Sequence, residues 1–274
     1  MSRGFITLGI NTDADQLRYN YALALSIKTC DRNAEVCLVV DKGKINGVPD
    51  KYVGVFDYVV ELPFGNTGHG DGFHASNLWQ MFHCTPFVET IYIDADVIFN
   101  KVDVELLWSV YDGTDISMPN TALSYDNTTH LGGREYFEIE TAYGLPAHYS
   151  SLIYFDKSSE IAKEWFKILD PLMQNWRETY TETFKEKKPP TFSKHVLVNQ
   201  ASAMIDASTD LGIRLPGFYD FMSDSWTDTL DWWYTPSNQI IIENFMVSGI
   251  IHYRDRRFMS NDILDAIRNN YHKE

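Results

Sequence analysis

The sequence predicts an α/β fold built as one continuous domain. Short apolar runs of β-formers alternate with stretches of helical periodicity, and no repeat or low-complexity linker interrupts them. With 44% hydrophobic residues over 274 positions, there is enough apolar material to fill a substantial core.

Phe5 to Thr12 reads as a first strand, and residues 14 to 29 as a helix with Leu17, Tyr21, Ala24, Leu25 and Lys28 near helical spacing. Val36 to Val40 is a second strand ended by Asp41, and Tyr58 to Leu62 a third, stopped by Pro63. Four glycines in the eight residues Gly65 to Gly72 make that segment a loop. A helix from about 74 to 83 ends before Pro86, and the run Ile91 to Phe99 reads as one buried strand. Beyond it a helix is expected at Val104 to Tyr111, a strand at Ile116 to Met118, an irregular stretch at 120 to 147 around Gly132-Gly133, and a strand at Ser151 to Phe155. Ile161, Trp165, Ile168, Leu172 and Trp176 share a helical face within 159 to 184, with Pro171 expected to break or kink it. Another helix follows at 195 to 206, then a tryptophan-rich loop (226 to 238), strands at Ile240 to Glu243 and Gly249 to Tyr253, and a helix from Asn261 with Ser260 as its N-cap.

Composition narrows the function classes. A net charge of −15 opposes binding that relies on general attraction to a phosphate backbone. Two local basic groups, Lys185-Glu186-Lys187-Lys188 with Lys194, and Arg254 with Arg256 and Arg257, are placed to hold phosphates, although the first also reads as a solvated loop before Pro189-Pro190. Cys30, Cys37 and Cys84 have no Cys-X-X-Cys spacing, which indicates neither a disulfide framework nor a zinc site. The absence of a bilayer-length apolar stretch, and of a signal-peptide start in residues 1 to 10, leads to the expectation of a cytoplasmic protein with no membrane partner.

Asp94-Ala95-Asp96 interrupts the apolar run Ile91 to Phe99. On a strand, side chains two apart share a face, so the two carboxylates would share one small volume and repel unless a proton or cation lies between them. Hard oxygen ligands suit Mg²⁺ or Mn²⁺, and the end of a buried strand is where open α/β sheets bind ligands. The alternative is a strand-end turn carrying two solvated aspartates.

The stretch Glu89 to Phe99 resembles the Asp-X-Asp element of GT-A-fold glycosyltransferases, in particular the retaining branch that includes glycogenin and bacterial lipooligosaccharide galactosyltransferases. Ile250-Ile-His252-Tyr-Arg-Asp-Arg256-Arg257 is similar to the late strand of that family. The resemblance implies a GT-A-like central mixed sheet flanked by helices, with 1–157 as nucleotide-sugar and metal-binding core and 158–274 as acceptor side. It further implies metal-dependent transfer of a sugar from a nucleoside-diphosphate sugar, UDP-linked, to an acceptor hydroxyl with retention.

Under this resemblance Asp94, Asp96 and His252 hold Mn²⁺ or Mg²⁺, and Arg256 or Arg257 contacts the diphosphate, although the family's Gly-X-X-Lys spacing after the histidine is absent. Thr12, Asp13 and Asp41 are candidates for the base and ribose, or are ordinary helix-start and turn aspartates with their neighbour. Asn77 stands where the family carries Arg or Lys, and reads as a sugar contact or as an exposed helix amide. Ala95 lies between the metal ligands, and Ser150 stands in the sugar pocket where the family shows Asn-X-Gly. His148, Asn199 and Gln200 are further sugar-contact candidates; Trp226, Trp232 and Trp233 divide between core and acceptor stacking.

The chain also looks like glycosyltransferase-like proteins of tailed bacteriophages. That makes a hydroxylated base such as hydroxymethylcytosine in phage DNA an alternative acceptor, with action in the host cytoplasm. A catalytically inactive nucleotide-sugar-binding domain is the alternative of another class. A nucleotidyltransferase is disfavoured, because Asn11 to Asp15 contains neither glycine nor a basic residue.

Overall fold

The computed structural model describes residues 2–9, 14–68, 74–130, 137–205, 211–220, 232–235, 239–253 and 258–273. Among them, β1 (Arg3–Leu8), β2 (Val36–Val40), β3 (Tyr58–Glu61) and β4 (Glu89–Ile93) run parallel, and β5 (Val97–Asn100) follows β4 closely but joins a different sheet. Then come β6 (Ile116–Pro119), β7 (Ala122–Leu123), β8 (Thr129–His130), β9 (Leu152–Asp156), β10 (Gly212–Ile213) and β11 (Phe218–Asp220). Last are β12 (Trp232–Thr235), β13 (Gln239–Ile242), β14 (Phe245–Val247) and β15 (Gly249–His252). They form a seven-stranded sheet ordered β10-β6-β9-β4-β1-β2-β3, a five-stranded sheet β5-β15-β11-β7-β8, and a three-stranded sheet β12-β13-β14. The large sheet is mixed because β9 runs antiparallel to both neighbours, β4 and β6.

The helices are α1 (Ala14–Cys30), α2 (Asp50–Val53), α3 (Met81–Cys84), α4 (Val104–Val110), α5 (Phe137–Ala142), α6 (Glu160–Gln174), α7 (Trp176–Thr183), α8 (Lys194–Met204) and α9 (Asn261–Lys273). Period-2 alternation sends successive strand residues to opposite sides of the large sheet. Phe5, Leu38 and Ile91 pack with Leu23 and Ile27 of α1 and Ile263 of α9, while Ile6, Val39 and Tyr92 pack with Trp165 and Leu169 of α6 and Leu197 of α8. Both faces are covered, which is why the five residues of β2 are all buried and all apolar.

Several expectations are corrected. The run Ile91 to Phe99 is two strands: β4 ends at Ile93, Asp94-Ala95-Asp96 turns, and β5 pairs antiparallel with β15 in the second sheet. Strand alternation therefore does not set the direction of the two aspartates. The stretch 120 to 147 contains the β7–β8 pair and α5, which lack the length that makes a sequence pattern visible. Residues 74–80 form a 3-10 segment leading into α3 rather than one α-helix. The break expected at Pro171 falls four residues later at Asn175, where φ and ψ are −112° and 34°. Burial of Leu169, Leu172 and Met173 carries α6 through the proline despite its missing N–H. Trp232 to Thr235 forms β12 rather than loop; the end of the first expected strand, and Trp226, lie outside the described residues.

Candidate active site

The two larger sheets meet at Asp94-Ala95-Asp96. The Asp94 amide donates to the Ser151 carbonyl at 2.9 Å, prolonging the β4–β9 ladder by one rung. Asp96 leaves with β5, and its carbonyl accepts from the Tyr253 amide at 3.0 Å, just beyond the end of β15. His252, the last residue of β15, stands in register with Val97 of β5 and Asp220 of β11. Ligand atoms of Asp94, Asp96 and His252 consequently lie within 4.8 Å of one another.

Each of these groups is held from behind. Asp94 accepts from the Tyr92 hydroxyl at 2.6 Å on one oxygen and pairs with Lys194 Nζ on the other. His252 Nε2 lies 3.3 Å from Asp96 Oδ1, and its Nδ1 lies 3.5 Å from Asp220 Oδ1. Asp220 is fully enclosed, and a carboxylate behind an imidazole fixes its ring orientation and raises its basicity. Burial alone would push the His252 pKa down, but the Asp96 and Asp220 carboxylates outweigh it and push it up to about 9. Burial and the Asp94 carboxylate push the Tyr92 hydroxyl well above its ordinary value, so it stays a donor.

This donor set fits a hard divalent cation. Ligand atoms around an octahedral ion of this size sit about 3 Å apart when adjacent and about 4.2 Å apart across it. The observed cluster, within 4.8 Å, is close to that spacing. The two carboxylates suit Mn²⁺ or Mg²⁺, the imidazole favours Mn²⁺ of the two, and positions remain for outside oxygens.

The cluster opens onto a cavity of about 370 Å³ that Ser150, Ser151, Lys194 and His195 also line. Lys194 and His195 open helix α8, whose N-cap Ser193 accepts from the Val196 amide at 3.3 Å. Ser150 Oγ and His195 Nδ1 are 2.7 Å apart. Among the described residues, no helix is long and apolar enough to cross a membrane.

The structure thus brings Asp94, Asp96 and His252 together, with Ala95 in the turn between them and Ser150 on the wall of the same cavity. Asp41 follows the carboxyl end of β2, on the sheet edge where β4 also ends, and its Oδ1 has no hydrogen-bond partner among the described residues. Thr12, Asp13, Arg256 and Arg257 lie outside the described residues.

Asn77 is neither an exposed amide nor a lining residue of this cavity: it is completely buried. Its Oδ1 accepts from the Thr67 amide at 2.9 Å and from Gln80 Nε2 at 2.9 Å, while its Nδ2 donates to Asn66 at 2.8 Å, so it ties down the 64–68 loop. Asn199 braces the backbone of His148 and donates to Glu140 Oε1, and Gln200 donates to Thr183 Oγ1 at 3.1 Å.

Sequence reasoning missed Asp220 and His195. Asp220 ends a short apolar strand, Phe218-Tyr-Asp220, as Asp94 ends Ile91-Tyr-Ile-Asp94, and that likeness was the available signal. Lys194, a phosphate-holding candidate or part of a solvated loop by sequence, pairs with Asp94. His195 beside it carried no sequence signal.

No family model matches the sequence, and no curated protein matches it. Solved structures match in fold. The galactosyltransferase LgtC in complex with donor and acceptor sugar analogs gives a TM-score of 0.56 at 12% identity, over 98% of this chain and 95% of that one. The bifunctional glycosyltransferase WbbM gives 0.55 at 14% identity, over 98% of this chain and 49% of the other. GlyE of Streptococcus pneumoniae TIGR4 gives 0.50 at 11% identity, over 98% and 60%. The chain therefore spans about half of WbbM and nearly all of LgtC. It has the mixed α/β fold of these GT-A-type proteins.

Proposed function

We propose that the protein is a metal-dependent glycosyltransferase that moves a sugar from a UDP-linked donor to an acceptor hydroxyl with retention of configuration. The observation that carries this reading is the convergence of Asp94, Asp96 and His252 where two sheets meet, in a fold shared with LgtC and WbbM. Bound there, Mn²⁺ or Mg²⁺ would offset the negative charge that gathers on the departing diphosphate.

The chain's own groups do the remaining work. Asp94, Asp96 and His252 hold the ion, with Tyr92 orienting Asp94 and Asp220 orienting the His252 ring. Asp41, at the carboxyl end of β2, would accept from the base or ribose, with Thr12 and Asp13 as its companions in that task. Arg256 or Arg257 pairs with the diphosphate, where a guanidinium forms charge-assisted bonds. Ser150 and His195 present a hydroxyl and an imidazole to the sugar or the acceptor. In this division of labour 1–157 holds the nucleotide sugar, and 158–274 completes the metal site and the acceptor side.

The test is nucleotide release from a panel of nucleotide sugars with Mn²⁺, using glycans, peptides and hydroxymethylated DNA as acceptor arms. Release from one donor, lowered by at least about 100-fold in Asp96→Ala, is expected. No release from any donor, together with no thermal stabilisation by any nucleotide and metal, overturns the proposal. Stabilisation without turnover would identify a nucleotide-sugar-binding domain that has lost catalysis.

A further inference from the structure

Asp94 carries a burden that its role as a ligand does not explain. Both of its oxygens are engaged by protein donors: the Tyr92 hydroxyl at 2.6 Å on Oδ1 and Lys194 Nζ on Oδ2. Tyr92 is buried on β4 and is fixed with the sheet. Lys194 is different, because four rotatable bonds separate its ammonium from the first residue of α8. Only 12% of the Lys194 side chain is exposed, and its ammonium sits 5.4 Å from the centre of the Tyr92 ring. A cation at a helix N-terminus opposes the helix dipole, so helix stability does not account for its position. Lys194 also lines the same cavity as Asp94, Asp96 and His252.

From this geometry we infer that Lys194 is an internal cation that occupies Asp94 until a divalent ion enters. This rests on the reading of the cavity as a metal and nucleoside-diphosphate site. The ammonium neutralises Asp94 in the metal-free protein. An incoming divalent cation needs the same oxygen and repels the ammonium at short range. Displaced into the cavity, Lys194 becomes a ligand for the diphosphate of a nucleoside diphosphate. Metal alone must compete with Lys194, whereas metal and diphosphate together give both charges a partner, so the two bind cooperatively.

The experiment is Mn²⁺ titration followed by electron paramagnetic resonance, with and without UDP, on wild type, Lys194→Met and Lys194→Gln. For the wild type, UDP should tighten Mn²⁺ binding by about tenfold or more, within the usual range of coupling between sites. Without nucleotide, both variants should bind Mn²⁺ about tenfold more tightly than wild type, and their UDP enhancement should fall to about twofold or less. A merely structural lesion would weaken metal binding rather than strengthen it. If wild type binds Mn²⁺ and neither variant gains affinity without nucleotide, the role of Lys194 is overturned while the metal site stands. If wild type binds no Mn²⁺ with or without UDP, the metal-site reading itself falls, and this inference with it.

Discussion

Gly249→Ala tests how strictly β15 is held, and hence how His252 reaches the site. A Cβ at position 249 would stand 2.0 Å from the Gly217 carbonyl oxygen and 2.8 Å from its carbon, and both are backbone atoms. Ordinary contact begins near about 3.5 Å, so the two strands must part by more than an ångström. The Gly217 carbonyl also accepts from the Ile250 amide at 2.8 Å, a bond such a shift breaks at about 1 kcal/mol. The φ of +148° adds about 1–3 kcal/mol of strain for a residue with a side chain, and the reduced entropy of the unfolded chain returns about 0.4–1 kcal/mol. The expected loss is about 3 kcal/mol. Gly43→Ala is the control, because Gly43 has a φ of +78° and nothing within 4 Å of an added Cβ. It isolates strain without clash and should cost about 1 kcal/mol. Urea unfolding measures both. His252 lies three residues beyond Gly249 on the same strand, so Mn²⁺ affinity should fall in Gly249→Ala and not in Gly43→Ala. Equal losses in the two variants would refute the close approach at Gly217.

Three further outcomes are expected. With its pKa raised from 6.5 to about 9, His252 stabilises the metal-free fold fully below pH 6.5 and loses that contribution as pH rises through 9. Mn²⁺ must displace that proton, so apparent affinity should rise by up to about tenfold per pH unit between 7 and 9. Calorimetry in two buffers of different ionisation enthalpy reads the proton release, and pH-independent binding would count against the assignment. Asp57→Ala leaves the enclosed Lys28 ammonium, which bonds Asp57 Oδ2 at 2.8 Å, with the Ala34 carbonyl but no counter-charge, and should cost about 2 kcal/mol in denaturant unfolding because Asp57 itself is partly exposed. Asn77→Ala removes the amide that anchors Asn66 and Thr67, so hydrogen exchange should quicken at 64–68 and stay unchanged in β1 and β2; uniform quickening would show a global effect instead.

Strands buried on both faces were legible in the sequence. Val36 to Val40 has no polar position, and the three residues Ile91, Tyr92 and Ile93 supply one side chain to each face in turn. What escaped was decided by contacts distant in sequence. β7 and β8 have two residues each, too few for any periodicity, and exist because β11 and the β7–β8 turn give their backbone partners. Pro171 reads as a breaker, yet the buried face around it on α6 overrides that preference. In the site, Asp94, Asp96 and His252 were recognisable from their residue types and neighbours. The pairing of Lys194 with Asp94 was not, since a lysine beside a basic loop looks solvated until α8 is seen to begin at the Asp94-Asp96-His252 cluster. Asn77 shows the converse: its place before β4 suggested a ligand contact, but its amide bonds to the 64–68 loop and to Gln80.

Because Asp94-Ala95-Asp96 is a turn and not a strand, the two aspartates owe their positions to different sheets. Asp94 is fixed by β9 through Ser151, and Asp96 by Tyr253 beyond β15. Two carboxylates on one strand would be locked at a constant spacing, whatever lay between them. Here the turn sets their separation, and each of its ends is pinned to a different sheet. Lys194 from α8 pairs with Asp94, and His252 backed by Asp220 pairs with Asp96. His252 is fixed by the register of β15 against β5 and β11, and the backbones of Asp94 and Asp96 by their hydrogen bonds to Ser151 and Tyr253, so the three positions are set before any cation binds.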